Sequence, residues 1–295
     1  MREFSGRTAV ITGAAGGFGL EFAKRAALLG MRVVLADVEA GALQRAHSLV
    51  ESLGARVISQ LTDVADPIQV QALADRAFAE FAGVHLLFNN AGVAPVGLVW
   101  EHTAQDWQWA LSVNVLGIAH GLRSFVPRML EQSDDSHIIN TASVAGYLSP
   151  TGMGLYNVTK HAVVTMSETL HHDLRAVGSN IGVTVLSPAF VPTGIANSER
   201  NRPDHLRSEE GVSEHTRRAR ESMLRAVSSG RLTAEDIASL TFAAIAERRF
   251  YLFTHPAILP SVKARHDAIA ALAEPSDPFA LRPALAPALA GNPVK

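Results

Sequence analysis

Thr8-Ala9-Val10-Ile11-Thr12-Gly13-Ala14-Ala15-Gly16-Gly17-Phe18-Gly19 is the stretch on which the fold turns. Its first five residues form a short apolar run with β-branched character, which predicts a buried strand over Thr8–Thr12. Glycines then stand at 13, 17 and 19, and Leu, Phe and Ala at helical spacing predict a helix over Gly17–Leu29. Glycine allows the tight turn between the two and lets the backbone approach a pyrophosphate, which then sits on the helix amino terminus. The spacing is GxxxGxG, not GxGxxG, and a plain strand-to-helix turn would also use such glycines.

The same rhythm continues outward. Arg32–Ala36, Arg56–Gln60, His85–Asn89, His137–Thr141 and Gly182–Ser187 read as further buried strands. Ala40–Leu53, Pro67–Ala82, Ala104–Leu130 and Tyr156–Val177 have helical length and spacing. Repeated β-then-α order predicts right-handed parallel crossovers and an α/β fold with a doubly wound parallel sheet flanked by helices. No composition break divides residues 1–256, which read as a single catalytic domain. Within it, 194–230 is long and charged, with Arg200, Arg202, Arg207, Glu209, Glu210, Arg217, Arg218 and Arg220. It follows the sixth strand at the carboxyl end of the sheet, where ligands bind in this architecture, so it reads as a substrate lid or as a solvated helix pair. Residues 257–295 read as a C-terminal helix and a Pro/Ala-rich extended tail, interrupted by Pro275, Pro278, Pro283, Pro287 and Pro293.

Bulk properties narrow the partners. A formal charge of −2 with interspersed signs gives no reason to expect nucleic acid or anionic lipid. The absence of cysteine excludes disulfides, thiolate metal sites and a cysteine nucleophile. The polar start Met1–Arg7 does not read as a signal peptide, and no apolar run has membrane length. A cytoplasmic protein with no membrane partner is the expectation. Twelve histidines lack metal-ligand spacing, and the adjacent His171 and His172 point about 100° apart on a helix, so no metal is expected.

Asp37 ends the second strand, about 20 residues beyond the glycines, where a carboxylate accepts hydrogen bonds from adenosine ribose hydroxyls. The same charge repels a 2′-phosphate, no Arg or Lys lies in the glycine turn, and Val38 follows. NAD is therefore expected over NADP; a loop-start or capping aspartate is the alternative. Asp63-Val64 and Asn89-Asn90-Ala91-Gly92 follow the third and fourth strands, where a ligand would cross the strand ends. Near the start of a later helix, Tyr156 and Lys160 share one face. Lowering a phenol by two to three pKa units needs roughly 3–4 kcal/mol. One ammonium at about 4 Å supplies on the order of 4 kcal/mol. The pair can thus serve as a general base toward an alcohol, and in reverse the phenol protonates a ketone oxygen.

Ser143-x12-Tyr156-x3-Lys160, behind TGxxxGxG and NNAG, resembles the short-chain dehydrogenase/reductase family in its classical branch, over roughly Gly6 to Phe253. The resemblance implies a Rossmann-type fold and a hydride transfer between NAD(H) and a secondary alcohol or ketone. It implies that Tyr156 is the acid/base, that Ser143 holds the substrate oxygen, and that Lys160 binds the nicotinamide ribose and lowers the tyrosine pKa. Asn114 would complete a proton relay through water. Gly13, Gly17, Phe18, Gly19, Asp37, Ala91 and Gly92 would hold the dinucleotide, with Asp63 and Val64 at the adenine and Asn90 bordering the adenosine ribose. Pro188, Val191 and Thr193 would border the nicotinamide. The family's usual Pro-Gly is here Pro188-Ala189, followed by Phe190, which implies a reshaped pocket. A homodimer or homotetramer is also implied, through the helices of Asn114 and Tyr156, where Val158, Ala162, Val163, Met166 and Leu170 suit either contact or core.

Val93, Ala94, Pro95, Ala145, Tyr147, Leu148, Met153, Phe190 and Ile195 are candidate pocket walls. Their apolar character points to a hydrophobic or aromatic substrate. The layout around Phe250–Pro256 is similar to bacterial aryl-ether Cα-dehydrogenases. An NADPH-dependent carbonyl reductase is opposed by Asp37, and a sugar-nucleotide epimerase or dehydratase by the short C-terminal part. A non-catalytic cofactor-binding protein is opposed by the intact Asn114, Ser143, Tyr156 and Lys160 set.

Overall fold

Strands that are buried along their whole length belong in a sheet covered on both faces, and Thr8–Thr12, His137–Thr141 and Gly182–Ser187 are of this kind. The structure, a computed structural model, describes residues 1–132, 134–207 and 213–281. In chain order it holds β1 (Thr8–Thr12), α1 (Gly17–Leu28), β2 (Arg32–Asp37), α2 (Ala40–Ser52), β3 (Val57–Leu61), α3 (Pro67–Phe81) and β4 (Leu86–Asn89). There follow α4 (Ala104–Leu111), α5 (Gly117–Glu131), β5 (His137–Thr141), α6 (Gly154–Ala176) and β6 (Gly182–Ser187). The last elements are α7 (Glu214–Ser228), α8 (Ala234–Glu247), β7 (Tyr251–Phe253) and α9 (Leu259–Ala270).

The seven strands are all parallel in the order β3-β2-β1-β4-β5-β6-β7. The order reverses direction after β1, which opens a crevice at the carboxyl ends of β1 and β4. Alternate side chains of β1 serve two cores. Ala9 and Ile11 join Phe22, Phe88 and Phe242 on one face, with the Phe22 and Phe88 rings stacked at 4.8 Å. Val10 joins Leu87, Phe81, Phe125 and Met129 on the other.

Three features differ from the sequence pattern. The expected helix 104–130 is interrupted by a π-helical turn at Ser112–Leu116, which carries Asn114; such turns cluster at functional sites. Strand β7 was not expected, because three residues are too few to show periodicity. The charged region 194–230 contains 3-10 turns at Gly194–Asn201 and Asp204–Leu206 and then α7. It is not a freely solvated helix pair, because α7 buries Ala219, Met223 and Val227. Glu209 and Glu210 of this region, and Pro283, Pro287 and Pro293 of the tail, lie outside the described residues.

Gly19 fixes the approach of α1 to its turn. A Cβ there would fall 2.0 Å from the Gly13 carbonyl oxygen, on backbone that cannot swing away. Gly19→Ala is therefore expected to cost about 1–3 kcal/mol by overpacking, read as a lower urea midpoint at unchanged slope. An unchanged midpoint would mean that the turn is looser than described.

His137 gives the fold a pH limit. It is fully buried, its Nε2 sits 2.7 Å from the Thr184 hydroxyl, and burial pushes its pKa from 6.5 down to about 3. The unfolded chain takes up this proton below 6.5 and the folded one does not until about 3, so stability falls as pH falls through that window. His137→Gln, which keeps a hydrogen-bonding group, is expected to remove about 2–3 kcal/mol of the loss over two pH units. Parallel urea titrations of both proteins at several pH values check this.

Candidate active site

One continuous cavity of about 820 Å³ runs over the carboxyl ends of the strands, within the range of about 300–1,000 Å³ usual for small-molecule sites. At one end lies the glycine turn. Gly13 and Gly17 have φ of 64° and 53°, left-handed values that favour glycine, and Gly13, Gly17 and Phe18 line the cavity. Gly19 does not line it; its place is the packing contact described above. Helix α1 starts at Gly16 with no side-chain cap and no acidic residue in its first turn. Its first N–H groups are thus left for an anion.

Asp37 faces the cavity at the end of β2. Its Oδ2 accepts the Ala15 N–H at 2.8 Å and its Oδ1 the Glu39 N–H at 3.1 Å, so it also braces the glycine turn. Each oxygen keeps a second acceptor position for a ribose hydroxyl. Glu39 beside it is held below the usual carboxylate range by the Arg200 guanidinium. Asp63 and Val64 line the cavity after β3, and the Asp63 carboxylate accepts the Ala65 N–H at 2.9 Å. Asn90, Ala91 and Gly92 line it after β4. Asn90 ties strands together: its Nδ2 donates to the Thr12 carbonyl at 3.0 Å, and its Oδ1 accepts the Thr141 hydroxyl at 3.3 Å.

Ser143, Tyr156 and Lys160 meet at the other end, all facing the cavity. The 3-10 turn Val144–Gly146 packs hard on α6, since a Cβ on Gly146 would lie 2.7 Å from the Lys160 carbonyl oxygen. This brings the Ser143 hydroxyl to the Tyr156 phenol, whose pKa it lowers. Ser143 also contacts the Pro188 carbonyl at 3.3 Å and accepts the Ala145 N–H at 3.2 Å. The Lys160 ammonium donates to the Thr141 carbonyl at 2.8 Å and lies 5.6 Å from the Tyr156 ring centre.

The electrostatics correct one expectation. Burial pushes the Tyr156 phenol up to about 12, only partly opposed by the Ser143 hydrogen bond, and pushes Lys160 down to about 8. In the chain alone burial sets the direction of the Tyr156 shift and leaves a neutral phenol, ready as an acid.

Asn114 sits on the π-helical turn. It is fully buried and outside the cavity lining, with its amide spent on Val93 N–H and C=O, both at 2.8 Å, and on the Thr159 hydroxyl at 3.0 Å. It clamps the loop after β4 to α6, and a relay through its side chain would have to break one of these bonds.

Among the pocket-wall candidates, Val93, Ala145, Leu148, Met153, Phe190 and Ile195 line the cavity, as do Pro188, Val191 and Thr193. Tyr147 does not. The turn sends it to the far side, where its hydroxyl takes a hydrogen bond from Ser187 at 3.3 Å and its ring lies 4.7 Å from Phe253. Ala94 and Pro95 are buried and also outside the lining. Trp109, Leu206, Met223, Val227, Pro278 and Phe279 complete the apolar walls. Only α7 gave a sequence signal for this, through Ala219, Met223 and Val227 at four-residue spacing inside a charged run.

The segment after β6 is anchored by Arg202. Buried, it pairs with Asp106 at 2.6 Å and stacks on Trp109 at 4.4 Å; the nearby His102 imidazole, the Thr103 N–H and Arg202 together hold the Asp106 carboxyl far below its usual range despite burial. Among the described residues no three His, Asp or Glu side chains group as a metal site, and no helix is long and apolar enough to cross a membrane.

Sheet order and cleft define a Rossmann-type α/β protein. The short chain dehydrogenase family model matches residues 7–204, and the chain belongs to this oxidoreductase family. It is similar to a crystal structure of a short chain dehydrogenase/reductase from Burkholderia phymatum in complex with NAD, at 56% identity and a TM-score of 0.93, covering 94% of this chain and 99% of that one. It is 31% identical over 268 residues to a CLA biosynthesis dehydrogenase/reductase of Lactiplantibacillus plantarum, covering 90% of this chain and 93% of the relative. A C alpha-dehydrogenase of a Sphingobium species is 29% identical over 291 residues, covering 96% and 92%.

Proposed function

We propose that the protein interconverts a hydrophobic secondary alcohol and its ketone with NAD(H). The observation that carries this reading is the meeting of Ser143, Tyr156 and Lys160 in the same cleft as Asp37 and the glycine turn. Gly13, Gly17, Phe18 and the uncapped start of α1 would hold the pyrophosphate, Asp37 and Asn90 the adenosine ribose, and Asp63 and Val64 the adenine. Ala91 and Gly92 would form the floor, Lys160 would hold the nicotinamide ribose, and Pro188, Val191 and Thr193 would border the nicotinamide. The bound nicotinamide supplies a hydride acceptor when oxidised and a donor when reduced. Ser143 holds the substrate oxygen, and Tyr156 gives its phenolic proton to that oxygen in ketone reduction. In alcohol oxidation Tyr156 takes the proton back, with the Lys160 ammonium 5.6 Å from its ring centre.

NAD is favoured over NADP by Asp37 and by the engagement of the nearby Arg200 with Glu39. The neighbour from Burkholderia phymatum in complex with NAD supports this. Apolar walls at Val93, Ala145, Met153, Phe190 and Ile195 favour an aromatic or otherwise hydrophobic substrate, in keeping with the C alpha-dehydrogenase relative. A cytoplasmic homo-oligomer fits the exposed Leu116 and Val158 on the helical stretches of Asn114 and Tyr156, whereas Val163 is core. The test is a screen of aryl, steroid-like, polyol and hydroxy-acid substrates with each cofactor, read by reduced-nicotinamide absorbance. Turnover of apolar alcohols with NAD is expected. A preference for polyols would overturn the substrate class, and silence with both cofactors would overturn the activity.

A further inference from the structure

The 3-10 segment Gly194–Asn201 follows β6 and meets the loops after three other strands. At its start, the side chain of Thr193 lies 3.5 Å from where a Gly17 Cβ would be. In its middle, the buried Ser198 hydroxyl accepts the N–H of Ala94, in the loop after β4, at 3.0 Å. At its end, Arg200 Nη2 and Asn201 Nδ2 donate to the same Glu39 oxygen at 2.6 and 3.0 Å, just past Asp37 at the end of β2. Arg200 is itself held by the carbonyls of Gly194 at 3.1 Å and Asn197 at 2.9 Å.

Gly17 follows β1, Ala94 follows β4 and Glu39 follows β2, so the segment, kinked at Asn197, touches the loops after three neighbouring strands at the mouth of the cleft. Gly194, Ser198, Arg200 and Asn201 face the same cavity as Asp37 and Glu39.

We propose that this segment is a strap over the dinucleotide and that Glu39, bound by Arg200 and Asn201, is the latch that retains the cofactor at its adenosine end. The inference rests on reading the cleft as the NAD(H) site. A dinucleotide laid along the strand ends passes beneath the strap, and its adenosine half leaves only when Arg200 swings off Glu39. Both side chains are partly exposed, at 47% for Arg200 and 32% for Glu39, so the latch is modest in strength and weakened by salt. Glu39 makes no side-chain cap to α2, so its removal leaves that helix start intact.

The test is the rate at which NADH leaves the full-length protein, followed by fluorescence after mixing with excess NAD. Glu39→Ala and Arg200→Met are each expected to speed release about 2- to 5-fold, and the double variant no more than the faster single one, because both break one contact. Arg200→Lys, which keeps the charge, should recover part of the retention, and high salt should speed wild-type release but not that of the variants. Wild-type rates in both single variants, or effects that multiply in the double, would overturn the latch alone. A wild-type protein that binds neither NADH nor NADPH would overturn the cofactor reading, and the latch with it.

Discussion

Tyr156→Phe is expected to lower kcat about 100- to 10,000-fold in both directions, the usual worth of a positioned acid/base, with NADH affinity preserved. The ring is packed among Ala94, Val96 and Ala145, and phenylalanine keeps that packing. What is lost is the hydroxyl that meets Ser143. Because burial raises this phenol to about 12, it stays protonated through the neutral range, and ketone reduction should show no loss from tyrosine ionisation there. Cofactor contacts on Asp37, the glycine turn and Lys160 are untouched by the change. Steady-state rates and an NADH titration on the same preparation separate the two effects. Turnover within a few-fold of wild type would reject Tyr156 as the proton donor.

The second large effect concerns cofactor choice. Asp37→Ser is expected to shift the ratio of kcat/KM for NAD over NADP toward NADP by about 10- to 100-fold. Hydrogen bonds from ribose to a charged acceptor are worth about 1.5–3 kcal/mol, and about 1.4 kcal/mol is tenfold. Loss of the charge also removes its repulsion of a 2′-phosphate. Serine retains a small acceptor for the Ala15 N–H that Asp37 now accepts at 2.8 Å, which limits collateral damage to the glycine turn. Comparison of both cofactors on one substrate reads the shift. An unchanged ratio would make Asp37 a brace of the turn and nothing more.

The sequence was informative where chemistry is local. Strands β1, β5 and β6 carry continuous apolar runs, and their boundaries were legible to the residue. The glycine turn, Asp37, and the serine, tyrosine and lysine set line one cleft, and each was visible in the sequence because it sits at a strand end or on one helical face. Legibility failed where a three-dimensional turn decides. Tyr147 looked like a pocket wall, but the tight packing of Gly146 on α6 rotates it to Ser187 and Phe253. The π-helical turn that aims the Asn114 amide at Val93 and Thr159 left no mark in the helical pattern. The Lys160 contact with Thr141 uses a backbone carbonyl, which no side-chain pattern announces. The sign of the Tyr156 shift depends on desolvation, a property of depth that spacing along a helix does not carry. The Glu39–Arg200 pairing joins residues 161 positions apart and left no local trace.

The most direct test follows the hydrogen that moves. A secondary alcohol that the enzyme turns over, bearing deuterium on its carbinol carbon, is incubated with NAD, and the products are examined by mass spectrometry and NMR. Deuterium on the nicotinamide ring of NADH, with the ketone formed in equal amount, is the expected result. Deuterium released to water, or a ketone formed without labelled NADH, would contradict it.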